Sequence, residues 1–220
     1  MLAQKLINFY RQLKPPGIPR GFEVLHPQHD KEVMQVVKHF FTKFYDDSRP
    51  RKLLLGINPG RHGAGMTGIN FTGPRQLKEF CGIDHPWGNS SELSAEFIYE
   101  VIMQYGGPTA FYRDYFVGAV SPLGFIKDGK NINYYDDKKL EQAVTPFIID
   151  TIRQQLDMGF DRTVCLCIGG EKNFKFLQTL NQKNGFFQSI IPLAHPRFIM
   201  QYRRKKKQEF VDEYLKALGH

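Results

Sequence analysis

Apolar residues recur along the chain in two rhythms. Residues 1–14 alternate apolar and polar positions at helical spacing, until Pro15, Pro16, Gly17 and Pro19 break the pattern. Residues 30–46 place Val33, Val36, Val37, Phe40, Phe41 and Phe44 on one helical face. Further helical patterns fall at 75–81, 91–105, 136–158, 171–180 and 206–218. Between them lie continuous apolar runs at 52–57 (KLLLGI), 115–120 (YFVGAV), 163–168 (TVCLCI) and 188–193 (QSIIPL). Such runs predict strands buried on both faces. A short strand is predicted at 22–25, a turn at Ser48-Arg49-Pro50 and a loop at 127–133.

Strands of this kind alternating with helices predict an α/β fold: a mostly parallel four-stranded sheet with helices on both faces. The chain has no internal repeat, and its 220 residues suit a single domain over 1–220. In parallel sheets ligands bind beyond the carboxyl ends of the strands. Here those ends are Asn58-Pro59-Gly60, Ser121-Pro122, Gly169-Gly170 and His195-Pro196, so the unusual residues lie where chemistry is expected.

Composition changes this picture in one respect. A formal net charge of +8 favours a polyanionic partner, and residues 195–208 hold six Lys or Arg and no acid. Cys81, Cys165 and Cys167 form neither a disulfide framework nor a metal set, and read as small core residues in a reducing compartment. No cofactor or metal is expected. No signal peptide and no apolar window of membrane-spanning length is present, so a cytoplasmic monomer is expected.

Two loops carry candidate chemistry. After the first core strand, GINPGRHGAGMTGINFTGP packs Gly56, Gly60, Gly63, Gly65, Gly68 and Gly73 together, permitting tight turns and close approach to a ligand. It lacks the spacing of a phosphate-binding loop, and Asn58-Pro59 lacks the cofactor loop that a base-modifying methyltransferase needs. In the better reading Asn58 holds a water, Phe71 stacks on a flat base and Gly63 leaves room for the base's edge. An uncharged Asn suffices only if the leaving group departs first. After the last strand, His195 is either a satisfied structural side chain or a donor to an oxygen where negative charge develops. Arg197 would bind a phosphate, and Phe198, Ile199 or Met200 would wedge into the gap left by a flipped base, or simply pack.

GINPG…TGINF resembles the first motif of the single-strand-selective monofunctional uracil-DNA glycosylases: Gly-Met-Asn-Pro-Gly, Thr-Gly and a stacking Phe. HPR at His195 is similar to a shortened form of their second motif, His-Pro-Ser-Pro-Arg. SSELSAEF, YFVGAVSPLGF, the DGKNIN loop and CIGGEKNF have counterparts in family order, so the likeness covers roughly residues 22–218. The resemblance implies an αβα sandwich and removal of uracil from DNA by base flipping and water attack, in base excision repair. It implies Asn58 as the water-positioning residue, His195 as the leaving-group stabiliser and Phe71 as the stacking platform. Gly56 and Ile57 would line the base pocket, Ile57 in place of the motif Met, and Lys130 and Asn131 would contact DNA. One departure stands out. Ala119, after Gly118, replaces the family's base-pairing Asn, which predicts a wider pocket admitting deaminated purines such as hypoxanthine or xanthine. Two rival readings are a non-catalytic binder of DNA or nucleobases and a hydrolase using Ser121 with His195. The latter lacks a GxSxG elbow.

Overall fold

The computed structural model describes residues 1–220. In chain order the elements are α1 (Leu2–Gln12), β1 (Phe22–Leu25), α2 (Lys31–Tyr45), β2 (Lys52–Gly56), α3 (Ala64–Thr67) and α4 (Pro74–Glu79). Next come α5 (Leu93–Gln104), α6 (Gly107–Asp114), β3 (Tyr115–Ala119), β4 (Gly124–Lys127), β5 (Lys130–Ile132) and α7 (Lys138–Asp157). The chain ends with β6 (Val164–Ile168), α8 (Gly170–Asn184), β7 (Ser189–Leu193), α9 (Pro196–Tyr202) and α10 (Lys207–Ala217).

The four apolar runs form one wholly parallel sheet in the order β3-β2-β6-β7, flanked by helices in the expected sandwich. Leu53 pairs with Phe116 on one side and Cys165 on the other, and β2 is buried from Leu53 to Gly56. A continuous apolar run is what a central parallel strand requires. The chain leaves β2 for β3 on one side and later returns to β6 on the other. That change of direction opens a cleft beyond the carboxyl ends of β2 and β6.

Local chemistry fixes the long helices. The Asp30 carboxylate accepts hydrogen bonds from the N–H groups of Glu32 and Val33 at 2.8 and 3.1 Å, capping α2. Asp137 does the same for α7 through Lys139 and Leu140. One hydrophobic cluster joins α1, the sheet and α10, from Leu2 to Leu218. The three thiols are free and buried, and burial pushes Cys81 up to about 11 and Cys167 up to about 12, so both stay protonated. No helix is long and apolar enough to cross a membrane.

Three segments differ from the sequence reading. The segment 127–133 is not a loop. β4 and β5 pair antiparallel around Asp128-Gly129, and with β1 form a second, three-stranded sheet. Asp128 and Gly129 both take positive φ, 50° and 68°, as a tight two-residue hairpin turn requires. The residues after His195 form α9 instead of an irregular loop, with Pro196 at its first position, where a missing N–H costs nothing. α6 was not anticipated either, because Gly106-Gly107-Pro108 reads as a break.

Candidate active site

The cleft at the strand ends holds a cavity of about 420 Å³. Its lining brings together Gly56, Ile57, Asn58, Phe71, Ala119, Asn131, His195 and Arg197. Residues up to 141 positions apart therefore meet because their strands end side by side.

The loop after β2 is rigidified from within. Gly65 N–H donates to the Gly60 carbonyl at 2.8 Å. The Thr67 hydroxyl donates to the Thr72 carbonyl at 2.6 Å and accepts from the Ile69 N–H at 3.2 Å. The Thr72 hydroxyl in turn meets the buried Tyr99 hydroxyl at 3.2 Å. These bonds hold Phe71 at φ 52°, a left-handed conformation that a bulky residue adopts only when its surroundings impose it. The Phe71 ring lies directly on Gly56: a Cβ there would sit 2.7 Å from the ring. Gly56 is thus the residue that makes room for the Phe71 ring at the end of the central strand.

Asn58 is held by the second sheet. Its Oδ1 accepts from the Tyr134 N–H at 3.1 Å and its Nδ2 donates to the Ile132 carbonyl at 3.3 Å. One Oδ1 lone pair remains for a water. The hairpin that the sequence reading treated as a loop is therefore what orients this side chain. Asn131 is likewise engaged, its Oδ1 accepting from the Arg61 N–H at 3.2 Å. Lys130 is exposed on β5 and does not line the cavity.

His195 caps α9. Its Nδ1 accepts the Arg197 N–H at 3.1 Å, so in the neutral ring the proton sits on Nε2. Desolvation, helped by the nearby Arg197 charge, lowers its pKa to about 4. His195 is therefore a neutral imidazole near pH 7, with Nε2–H as its free donor. The buried Tyr214 hydroxyl donates to the Ala194 carbonyl and anchors the strand end from α10. The rings of Phe71 and His195 stand 6.1 Å apart.

Several expectations are corrected. Gly63 does not line the cavity; a Cβ on it would lie 2.8 Å from the Glu92 carboxyl carbon, so it makes room for Glu92 and not for a base's edge. Ile199 and Met200 are buried, whereas Phe198 and Tyr202 are exposed at the cavity rim. Ser121 is fully buried and donates to the Leu123 carbonyl at 2.7 Å, outside the cavity, which removes it as a nucleophile. Sequence reasoning missed Glu92, Asn70, Asn133 and Gln201, all of which face the cavity.

A cavity at the switch point of a parallel sheet, with an aromatic platform and a neutral histidine donor, suits a flat heterocycle whose departure leaves negative charge. The chain belongs to the uracil DNA glycosylase superfamily, whose model matches residues 42–219. It is accordingly a hydrolase of N-glycosyl bonds, of the uracil-DNA glycosylase type. The crystal structure of SMUG2 from Pedobacter heparinus is similar to it, with 42% identity, a TM-score of 0.95 and coverage of 99% of this chain and 97% of that one. No curated protein matches the chain.

Proposed function

We propose that the protein removes uracil from DNA, and deaminated purines such as hypoxanthine or xanthine more slowly, as a single-domain monomer of the cytoplasm. One observation carries this reading: Asn58, Phe71 and His195 converge on one cavity of base-binding size. A nucleotide swung out of the stack enters that cavity, and its base lies on the Phe71 ring. The glycosidic bond then lengthens, and the electron pair passes to the base. His195 Nε2–H donates to the base oxygen as charge builds there, and its neutral state keeps a hydrogen-bonding proton available without a full positive charge. Water held at Asn58 Oδ1 adds to the sugar carbon. Arg197, exposed at the rim, meets a flanking phosphate.

Ala119 is buried at the cavity wall and offers no amide to a base edge. Losing a paired contact of that kind lowers discrimination by about 1–3 kcal/mol, which supports the wider substrate range.

The test is excision from oligonucleotides carrying one uracil, hypoxanthine or xanthine, in single and double strands. The wild type should leave alkali-labile abasic sites, Asn58→Ala and His195→Ala should be slower by about 10²-fold or more, and Ala119→Asn should narrow the range toward uracil. If no lesion is cut under any condition, the chain is a DNA or nucleobase binder and the reading is wrong.

A further inference from the structure

Glu92 is the only carboxylate among the residues lining the cavity. It stands at the start of α5, immediately before Leu93, yet its side chain does not cap that helix. Its carboxyl group lies against Gly63, within 2.8–3.0 Å of where a Cβ on that residue would be. A glycine at 63 is what admits it. The groups facing it are Arg197 and His62, with the Ser94 hydroxyl close by on its own helix. None of these is bonded to it tightly enough to form an ion pair. A half-buried acid in a cavity that must admit a phosphodiester repels the ligand, so its placement calls for a chemical role.

The amide of Asn58 supplies no such chemistry. Two of its hydrogen bonds are taken by the backbone of residues 132 and 134, and an amide is not a base at neutral pH. The water beside it still loses a proton when it adds to the sugar.

We infer that Glu92 is the catalytic residue that takes the proton from the attacking water, a role resting on the glycosylase reading above. The bond from the sugar carbon to the base nitrogen breaks and its electron pair leaves with the base. The bond from that carbon to the water oxygen forms, and the water proton passes to a Glu92 carboxylate oxygen. The proton then moves through solvent to the departed base. Burial raises the carboxyl's pKa above the ordinary Glu value, which makes its ionised form a stronger base.

The test is single-turnover excision of uracil at saturating enzyme, with DNA affinity measured separately on the same oligonucleotide. Glu92→Gln should slow excision by about 10²–10⁴-fold, the range of general-base catalysis, while DNA binds as tightly as to the wild type or more tightly. Glu92→Ala should be rescued by added formate and more by the more basic acetate. Thermal melting of both variants excludes unfolding. A Glu92→Gln rate within threefold of wild type overturns the inference. So does a slow Glu92→Ala that no carboxylate rescues, which would make the residue structural. A wild type that cuts nothing refutes the glycosylase reading itself, and is distinguished by that outcome.

Discussion

The proton on His195 decides what that residue can do. An imidazolium would carry a proton on Nδ1, opposing the Arg197 N–H that Nδ1 accepts at 3.1 Å. Burial and the Arg197 charge act in the same direction and lower the pKa to about 4. His26 is lowered to about 4 as well, by burial and by the neighbouring His29, with both ring nitrogens buried and the two ring centres 3.7 Å apart. Both shifts lie below the unfolded value of 6.5, so the unfolded chain binds more protons between the two values. Stability should therefore be intact above pH 6.5 and fall as pH drops from there toward 4. Ring-proton chemical shifts of His195 followed by NMR should show no titration near pH 6.5. A midpoint there would remove the neutral-donor role. At this scale Asn58, Phe71 and His195 were legible in the sequence because each stands at a strand end or in the loop that follows. Glu92 was not, because a lone acid ahead of an amphipathic run reads as a favourable charge at a helix start.

Strands β2, β3 and β6 were legible because burial on both faces leaves an unbroken apolar run, whatever the sheet order, whereas β7 stands at the sheet's edge with Ser189, Ile191 and Pro192 exposed, so its run did not mean burial on both faces. The order β3-β2-β6-β7 itself leaves no such mark in the sequence. The β4–β5 hairpin escaped because both strands are short and β5 is largely exposed and polar, although Asp128-Gly129 is a strong turn signal. That hairpin matters because its continuation grips Asn58. The entry to β2 is fixed differently, by a buried guanidinium. Arg51 donates to both Asp47 oxygens at 2.7 and 3.0 Å and to the carbonyls of Tyr112, Arg49 and Phe44. It also lies 5.0 Å from the Tyr45 ring centre. The same bonds hold the Asp47 carboxyl below its usual pKa. Arg51→Ala would leave those oxygens unpaired, some of them buried. Asp47 is partly exposed and regains water, so the expected cost in urea unfolding is about 1–3 kcal/mol, from the buried carbonyl left unpaired. A cost below about 1 kcal/mol would mean that β2 is held by its sheet neighbours alone.

The charge of the whole molecule sets how it meets DNA. Thirty Lys and Arg against 22 Asp and Glu give +8, and the rim of the cavity continues into the basic run after α9. Within that run the residues are not equivalent. Arg203 lies over the Phe198 ring at 5.3 Å, Lys206 pairs with Glu209 at 3.3 Å, and Lys207 pairs with Glu100. Arg204 and Lys205 are exposed and have no acidic partner, so they are the pair free to neutralise phosphates. Each phosphate contact contributes about 0.7 to the slope of log K against log salt for a single strand and about 0.9 for a duplex. Arg204→Ala with Lys205→Ala should flatten that slope by about 1.4 on a single strand and about 1.8 on a duplex. An unchanged slope would show that the run merely solvates the start of α10. The positive field would then act from another surface, such as the groove beside Phe22, where Arg20, Lys138 and Lys139 stand with the paired Lys127 and Asp137. Either result says which basic surface the strand follows into the cavity, because one lies between α9 and α10 and the other is built by β4 and the start of α7.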